Sequence, residues 1–141
     1  MDQLEYFHLP PGGTPPELSC QQPFAAVVVI KADISAEWRR SVSRWLVQSG
    51  CLYMMAWGTE SSAWDDSVDH ANLEAFDYDE IPDEHLVMTT WHDNEPLEDV
   101  LWFATNSLEH PVRKIARLIL IDISTQERRI EIMNSIARSA D

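Results

Sequence analysis

Basic residues are missing from the central half of this sequence. Of the ten lysines and arginines in 141 residues, none lies between Arg44 and Arg113. The same interval holds fifteen of the 24 acidic residues, and the formal net charge of the chain is −14. Nucleic acids and anionic membranes attract basic surfaces, so neither is an expected partner. This charge distribution suits a basic protein partner or a bound cation.

Nucleotide-binding glycine motifs, long apolar runs and an export signal are missing as well. Neither GxGxxG nor GxxxxGK[ST] occurs, so no dinucleotide or P-loop site is expected. No apolar run reaches the roughly 18 residues of a membrane helix. The N-terminal residues show neither the basic nor the apolar region of a signal peptide. We therefore expect a cytoplasmic protein in which Cys20 and Cys51 remain reduced.

Four short apolar runs alternate with stretches of helical periodicity. The runs cover residues 24–30, 51–57, 86–91 and 118–123. This alternation predicts an α/β fold, namely one three-layer α-β-α domain over residues 24–141 with a four-stranded, mainly parallel sheet of the flavodoxin or Rossmann type. For the predicted strands numbered in chain order, the order 2-1-3-4 is favoured and 3-2-1-4 is the alternative. The residues expected in the core are Val28, Ile30, Met54, Val87, Met88, Leu120 and Ile121.

The first 23 residues differ in composition from the rest of the chain. Residues 1–23 contain five of the eight prolines and two of the four glycines. Proline cannot donate a backbone hydrogen bond to a neighbouring strand. This composition predicts a proline-rich N-terminal arm rather than an element of the sheet.

Carboxylates and histidines fall where the predicted parallel strands end. Asp65 and Asp69 are one helical turn apart, as are Asp66 and His70, and His92 follows the third predicted strand. In parallel sheets ligands bind beyond the carboxyl ends of the strands, so we expect one pocket to contain Asp66, Asp69, His70, His92 and Asp93. The candidate catalytic residues are Asp66, His70, His92 and Asp93. The candidate ligands for a divalent metal are Asp65, Asp69, His70 and His92.

The same acids also have an explanation that needs no metal. Acidic side chains near a helix start stabilise its exposed N–H groups, and Ser62 with Asp65 resembles a capping box. Carboxylate and imidazole groups together suit Mn, Fe or Zn, yet their spacing here matches no compact ligand motif. No cofactor is therefore predicted, and a divalent metal remains an alternative.

Aromatic residues near the same edge are candidates for contact with a partner. Trp57 and Trp91 end predicted strands, and Trp64 begins a predicted helix. Tryptophan and tyrosine often anchor protein interfaces because they combine a large apolar area with a polar group. The predicted partner-binding residues are Trp57, Trp64, Asp65, Asp66, Asp69, Tyr78 and Trp91.

Two short motifs in the acidic half are unusual. They are WDDSVD at residues 64–69 and MTTWH at residues 88–92. With the surrounding sequence over residues 24–125, they resemble an uncharacterised family of small acidic bacterial proteins known only as a domain of unknown function. The resemblance implies a bacterial cytoplasmic protein and brings no catalytic residue with it.

Two functions are compatible with these features. The first is a small acidic binding module for a basic protein partner, such as an immunity protein for a nuclease toxin or an accessory subunit of a bacterial defence system. The second is a metal-dependent hydrolase with an Asp/His site at the carboxyl edge of the sheet. The sequence favours the binding module because it contains no complete catalytic motif.

Overall fold

Four helices and five parallel strands make up the fold in the computed structural model, which describes residues 4–18 and 22–140. The strands are β1 (Leu4–Leu9), β2 (Phe24–Ile30), β3 (Cys51–Gly58), β4 (Met88–His92) and β5 (Arg117–Ile123), and the helices are α1 (Ala36–Ser49), α2 (Ser61–Ala75), α3 (Leu97–Asn106) and α4 (Arg129–Ala140). A short 3-10 helix spans Asp83–His85. The predicted α/β class with a parallel sheet is confirmed.

The strand order is β1-β5-β2-β3-β4. For the four strands predicted from the sequence this is the alternative order 3-2-1-4, and the favoured order 2-1-3-4 is wrong. After β4 the chain crosses back over the sheet to pair β5 with the free side of β2. The order therefore reverses between β2 and β5, and β4 lies at one edge.

Residues 4–9 form a fifth strand that was not predicted from the sequence. β1 pairs in parallel with β5, from Leu4 opposite Leu118 to Leu9 opposite Ile123. This strand lies at the other edge of the sheet, so only two of its six residues are buried and its sequence has no continuous apolar run. All five prolines of the N-terminal region come after it, which is why the composition of residues 1–23 concealed a strand.

The proline-rich segment that follows β1 lies against α1. The indole N–H of Trp38 donates to the carbonyl oxygen of Gly13 at 3.0 Å. The indole N–H of Trp45 donates to the carbonyl oxygen of Pro16 at 2.9 Å. Two tryptophans of one helix thus hold this segment to the domain. Cys20 lies outside the described residues.

Two apolar clusters cover the two faces of the sheet. Ala26 and Val28 of β2 face α1 and α2, whereas Val27 and Val29 face α3 and α4. Because β2 is buried on both faces, its sequence is uniformly apolar. Burial is confirmed for every predicted core residue except Met88, which is half-buried because β4 is an edge strand. None of the described helices has the length and apolar character needed to cross a membrane.

A tight turn brings the start of α2 to the carboxyl edge of the sheet. Gly58 has a φ of 111°, and a Cβ at this position would lie 2.3 Å from the carbonyl oxygen of Ile30. Only glycine fits there. The next residues enter α2 at Ser61 through Glu60, whose φ is 53°, with no side-chain cap. The predicted capping role of Ser62 is therefore wrong.

Candidate functional site

Helix α2 separates the predicted site residues into two groups. Successive residues of an α-helix point about 100° apart, so the neighbours Asp65 and Asp66 point in different directions. Asp65 and Asp69 contact β4. Asp66 and His70 line a groove between α2 and α1.

The first group is held by one hydroxyl of the edge strand. Thr89 Oγ1 lies 2.8 Å from Asp65 Oδ1 and 2.8 Å from Asp69 Oδ1. A hydroxyl carries a single proton, so it donates to only one of these carboxylates at a time. Burial raises the pKa of Asp69, and the nearby carboxylates of Asp65 and Asp66 raise it further, although the hydrogen bond from Thr89 opposes the shift. The two carboxylates therefore share one side-chain donor within the described residues.

An exposed tryptophan extends this group along the strand. Trp91 is two residues beyond Thr89 on β4, so the two side chains point to the same face of the sheet. The side chain of Trp91 is 47% exposed. We call the surface formed by Asp65, Asp69, Thr89 and Trp91 the acidic edge. It combines carboxylates, a hydroxyl and a large apolar side chain at one margin of the sheet.

The other predicted aromatic anchors differ in their exposure. Trp64 is completely buried in the cluster between α2 and the sheet, so the prediction that it contacts a partner is wrong. Trp57 is half-buried, its indole N–H donates to Glu95 O at 2.7 Å, and Lys31 Nζ lies 4.6 Å from the centre of its ring. Tyr78 is 60% exposed and remains accessible.

His92 and Asp93 lie apart from the residues of α2. Along β4, His92 shares the face of Met88, which packs against the α3 and α4 cluster, whereas α2 lies on the opposite face. One ring nitrogen of His92 contacts the Glu95 carboxylate and the other lies 2.9 Å from Thr90 Oγ1. Together with Trp91 and Asp93 it lines a depression of about 300 Å³ to which no residue of α2 contributes.

The predicted convergence of Asp66, Asp69, His70, His92 and Asp93 in one pocket is therefore wrong. Within residues 4–18 and 22–140, no group of three or more histidine, cysteine, aspartate or glutamate side chains could hold a metal ion. The reason is geometric, because α2 and the end of β4 present these groups on different faces. The structure therefore does not bring the carboxylates and histidines of α2 together with His92 and Asp93.

Comparison with protein families gives one result. Residues 4–139 match the model of a family described as a domain of unknown function, DUF7684. The chain belongs to the DUF7684 family. No curated protein matches it, and no solved structure matches it either.

The family match confirms the resemblance to an uncharacterised family and extends it. The resemblance was based on residues 24–125, whereas the DUF7684 model begins at Leu4. The match therefore includes β1 as well as the last helix.

A buried polar cluster that was not predicted from the sequence joins β1 to the rest of the DUF7684 domain. The hydroxyl of Tyr6 donates to the carboxylate of Asp122, a fully buried residue near the end of β5. The guanidinium of Arg128 donates to the same carboxylate at 2.5 Å, and the backbone N–H of Arg128 donates to Tyr6 Oη at 2.9 Å. Burial raises the pKa of Tyr6, and donation to Asp122 raises it further. The sequence does contain one indication of this cluster, because Asp122 interrupts the apolar run of β5 and a buried carboxylate needs polar partners.

Proposed function

We propose that this DUF7684 domain is a binding module that takes a basic segment of a protein partner at the acidic edge. The observation that carries the proposal is the pair of carboxylates, Asp65 and Asp69, that share the single proton of Thr89. A lysine or arginine side chain from a partner would donate to both carboxylates. It would also neutralise two like charges that lie close together.

Charge-assisted hydrogen bonds are the stronger kind in proteins, and a guanidinium can donate to two carboxylates at once. An arginine of the partner would therefore be the best match for Asp65 and Asp69. The ring of Trp91 lies along the same strand, where it can cover the apolar part of that side chain or stack on its guanidinium. Tyr78 adds a second exposed aromatic residue at the far end of α2.

The charge of the surrounding surface supports the same function. Residues 45–112 contain no lysine or arginine. Two arginines of α1 form ion pairs with acids of this stretch, Arg39 with Glu60 and Arg44 with Glu74. The remaining carboxylates produce a negative field that would attract a basic partner and speed association. A bacterial cytoplasmic setting, with an immunity protein or a defence accessory subunit as the role, belongs to the same proposal.

The experiment is affinity capture from the native host with matched charge variants. The D65N/D69N variant should lose the partner, since every charge-assisted bond contributes about 1.5–3 kcal/mol. W91A should weaken capture as well, because it removes the apolar and cation–π contact of the ring. The control is D83N/E84Q, which removes two exposed charges from the 3-10 helix and should retain the partner. Association measured with the captured protein should slow steeply as salt rises. Equal loss in the control, an acidic partner or an association rate indifferent to salt would contradict the proposal.

A further inference from the structure

A groove between α1 and α2 carries charges of both signs and lies outside the acidic edge. It has a volume of about 380 Å³ and is lined by Arg39, Arg40, Ala63, Asp66, Ser67 and His70. Sites for small ligands in proteins have volumes from about 300 Å³ upward. The guanidinium groups belong to α1, while the carboxylate and the imidazole belong to α2. The two walls are therefore opposite in charge.

Most of the polar side chains in this groove already have partners. Arg39 pairs with Glu60 at 3.7 Å. Ser67 Oγ lies 2.8 Å from Ser43 Oγ, and His70 Nε2 lies 3.1 Å from Tyr78 Oη. These contacts fix the walls of the groove without filling it.

Arg40 and Asp66 are the exception. Both side chains are exposed, and neither has a hydrogen-bond or ion-pair partner in the part of the chain that the structure describes. They lie on opposite walls of the same groove yet do not pair with each other. One cationic and one anionic group thus remain available to a molecule between them.

The chemistry of these two groups selects the ligand. A guanidinium prefers a planar carboxylate, which it can bind through two parallel hydrogen bonds. A carboxylate such as Asp66 prefers an ammonium group. A doubly charged phosphate would satisfy Arg40 but would be repelled by Asp66 and by the strongly negative chain. A ligand that carries a carboxylate and an ammonium group a few bonds apart can pair with both Arg40 and Asp66.

We propose that the α1–α2 groove binds a small zwitterion, a free α-amino acid or a dipeptide. The ligand carboxylate binds Arg40 and the ligand ammonium binds Asp66. His70 and Ser67 lie beside Asp66 on the same wall and contact the rest of the ligand. This site is separate from the acidic edge, because Asp66 and His70 line the groove toward α1 whereas Asp65 and Asp69 contact Thr89 of β4.

The test uses the full chain and three classes of probe. The first class is the set of natural L-amino acids together with dialanine, the second is the same compounds with an acetylated amino group, and the third is their carboxamides. Binding is followed by the shifts of backbone amide signals in NMR spectra. We expect an unblocked zwitterion to move the signals of the groove, and we expect either block to weaken binding by roughly tenfold or more.

Two variants assign the ends of the ligand. R40Q should weaken binding roughly tenfold and abolish the effect of blocking the carboxylate, while D66N should do the same for the amino group. R44Q is the control, since Arg44 lies on α1 but pairs with Glu74, and it should bind as the unchanged protein does. All three positions are exposed, and circular dichroism checks that each variant is folded.

Three results would overturn the proposal. One is that no unblocked compound moves the groove signals at millimolar concentration. Another is that inorganic phosphate binds in the groove and binds more tightly to D66N, which would make it an anion site. The last is that R40Q and R44Q weaken binding equally, since a general loss of positive charge would then explain both.

Discussion

Replacement of Tyr6 by phenylalanine tests whether β1 is part of the folded domain. The substitution keeps the ring, over which the Arg129 guanidinium lies at 4.9 Å, and removes only the hydroxyl. Two hydrogen bonds are lost, one to the buried carboxylate of Asp122 and one from the backbone N–H of Arg128. The start of α4 and the end of β5 would each lose a contact with β1.

The magnitude follows from the type of each bond. A hydrogen bond to a charged group contributes about 1.5–3 kcal/mol, and a neutral one about 0.5–1.5 kcal/mol. Asp122 keeps Arg128 as a partner, so the carboxylate is not left alone. We therefore expect Tyr6→Phe to lower the free energy of unfolding by about 3 kcal/mol, within a total of about 5–15 kcal/mol for a domain.

Urea unfolding monitored by tryptophan fluorescence measures this change. The midpoint should fall while the slope with urea stays constant, because the folded state remains compact. Tyr78→Phe is the matched control, since that side chain is exposed and its hydroxyl contacts the exposed His70, and it should change stability by less than about 0.5 kcal/mol. A similarly small change for Tyr6→Phe would refute the reasoning. It would indicate that residues 4–9 are a loosely attached arm.

Four further predictions concern single positions. Val28→Asp places an unpaired charge in a strand buried on both faces and should cost several kcal/mol in thermal unfolding, whereas unchanged stability would contradict the central place of β2. Ser61→Ala should leave the free energy of unfolding in urea unchanged or raise it, because the buried hydroxyl of Ser61 has no partner among the described residues. Ser43→Ala should lower it by about 1 kcal/mol, because the hydroxyl of Ser43 donates to the carbonyl oxygen of Arg39; the reverse ranking would contradict this. Burial raises the pKa of the Cys51 thiol from 9.0 to about 12, so the contribution of this thiol to stability should be complete below about pH 9 and fall by about 1.4 kcal/mol per pH unit up to about pH 12. Cys51→Ala should remove this part of the fall and leave the part that Tyr6 adds above about pH 10, because the pKa of Tyr6 is raised as well; an unchanged pH dependence in Cys51→Ala would contradict this. Asp69→Asn should raise the melting temperature above about pH 4, where the ionised carboxylate destabilises the fold, and have no effect below it; a lower melting temperature at neutral pH would show that this carboxylate is already paired.

The class of fold was predictable because its signals are local. A strand buried on both faces must be apolar throughout, as in β2, and the sequence shows this directly. Ser35 as the N-cap of α1 and Gly50 as its left-handed C-terminal residue likewise follow from the backbone groups at a helix end. The order of the strands, in contrast, has no local signal in the sequence. Each crossover can place the next strand on either side of the sheet, and only the packing of the whole sheet selects one.

The site depended on geometry that the sequence does not contain. The motif WDDSVD shows that Asp65, Asp66 and Asp69 share a helix, but only the rotation of α2 against the sheet puts Trp64 inside and divides the carboxylates between β4 and α1. The contact of Thr89 with Asp65 and Asp69 joins residues at least twenty positions apart. Helical periodicity is determined by neighbouring residues, and it sets which side chains share a face. Which element that face meets is decided by burial of apolar surface across the whole chain, and so by the tertiary structure alone.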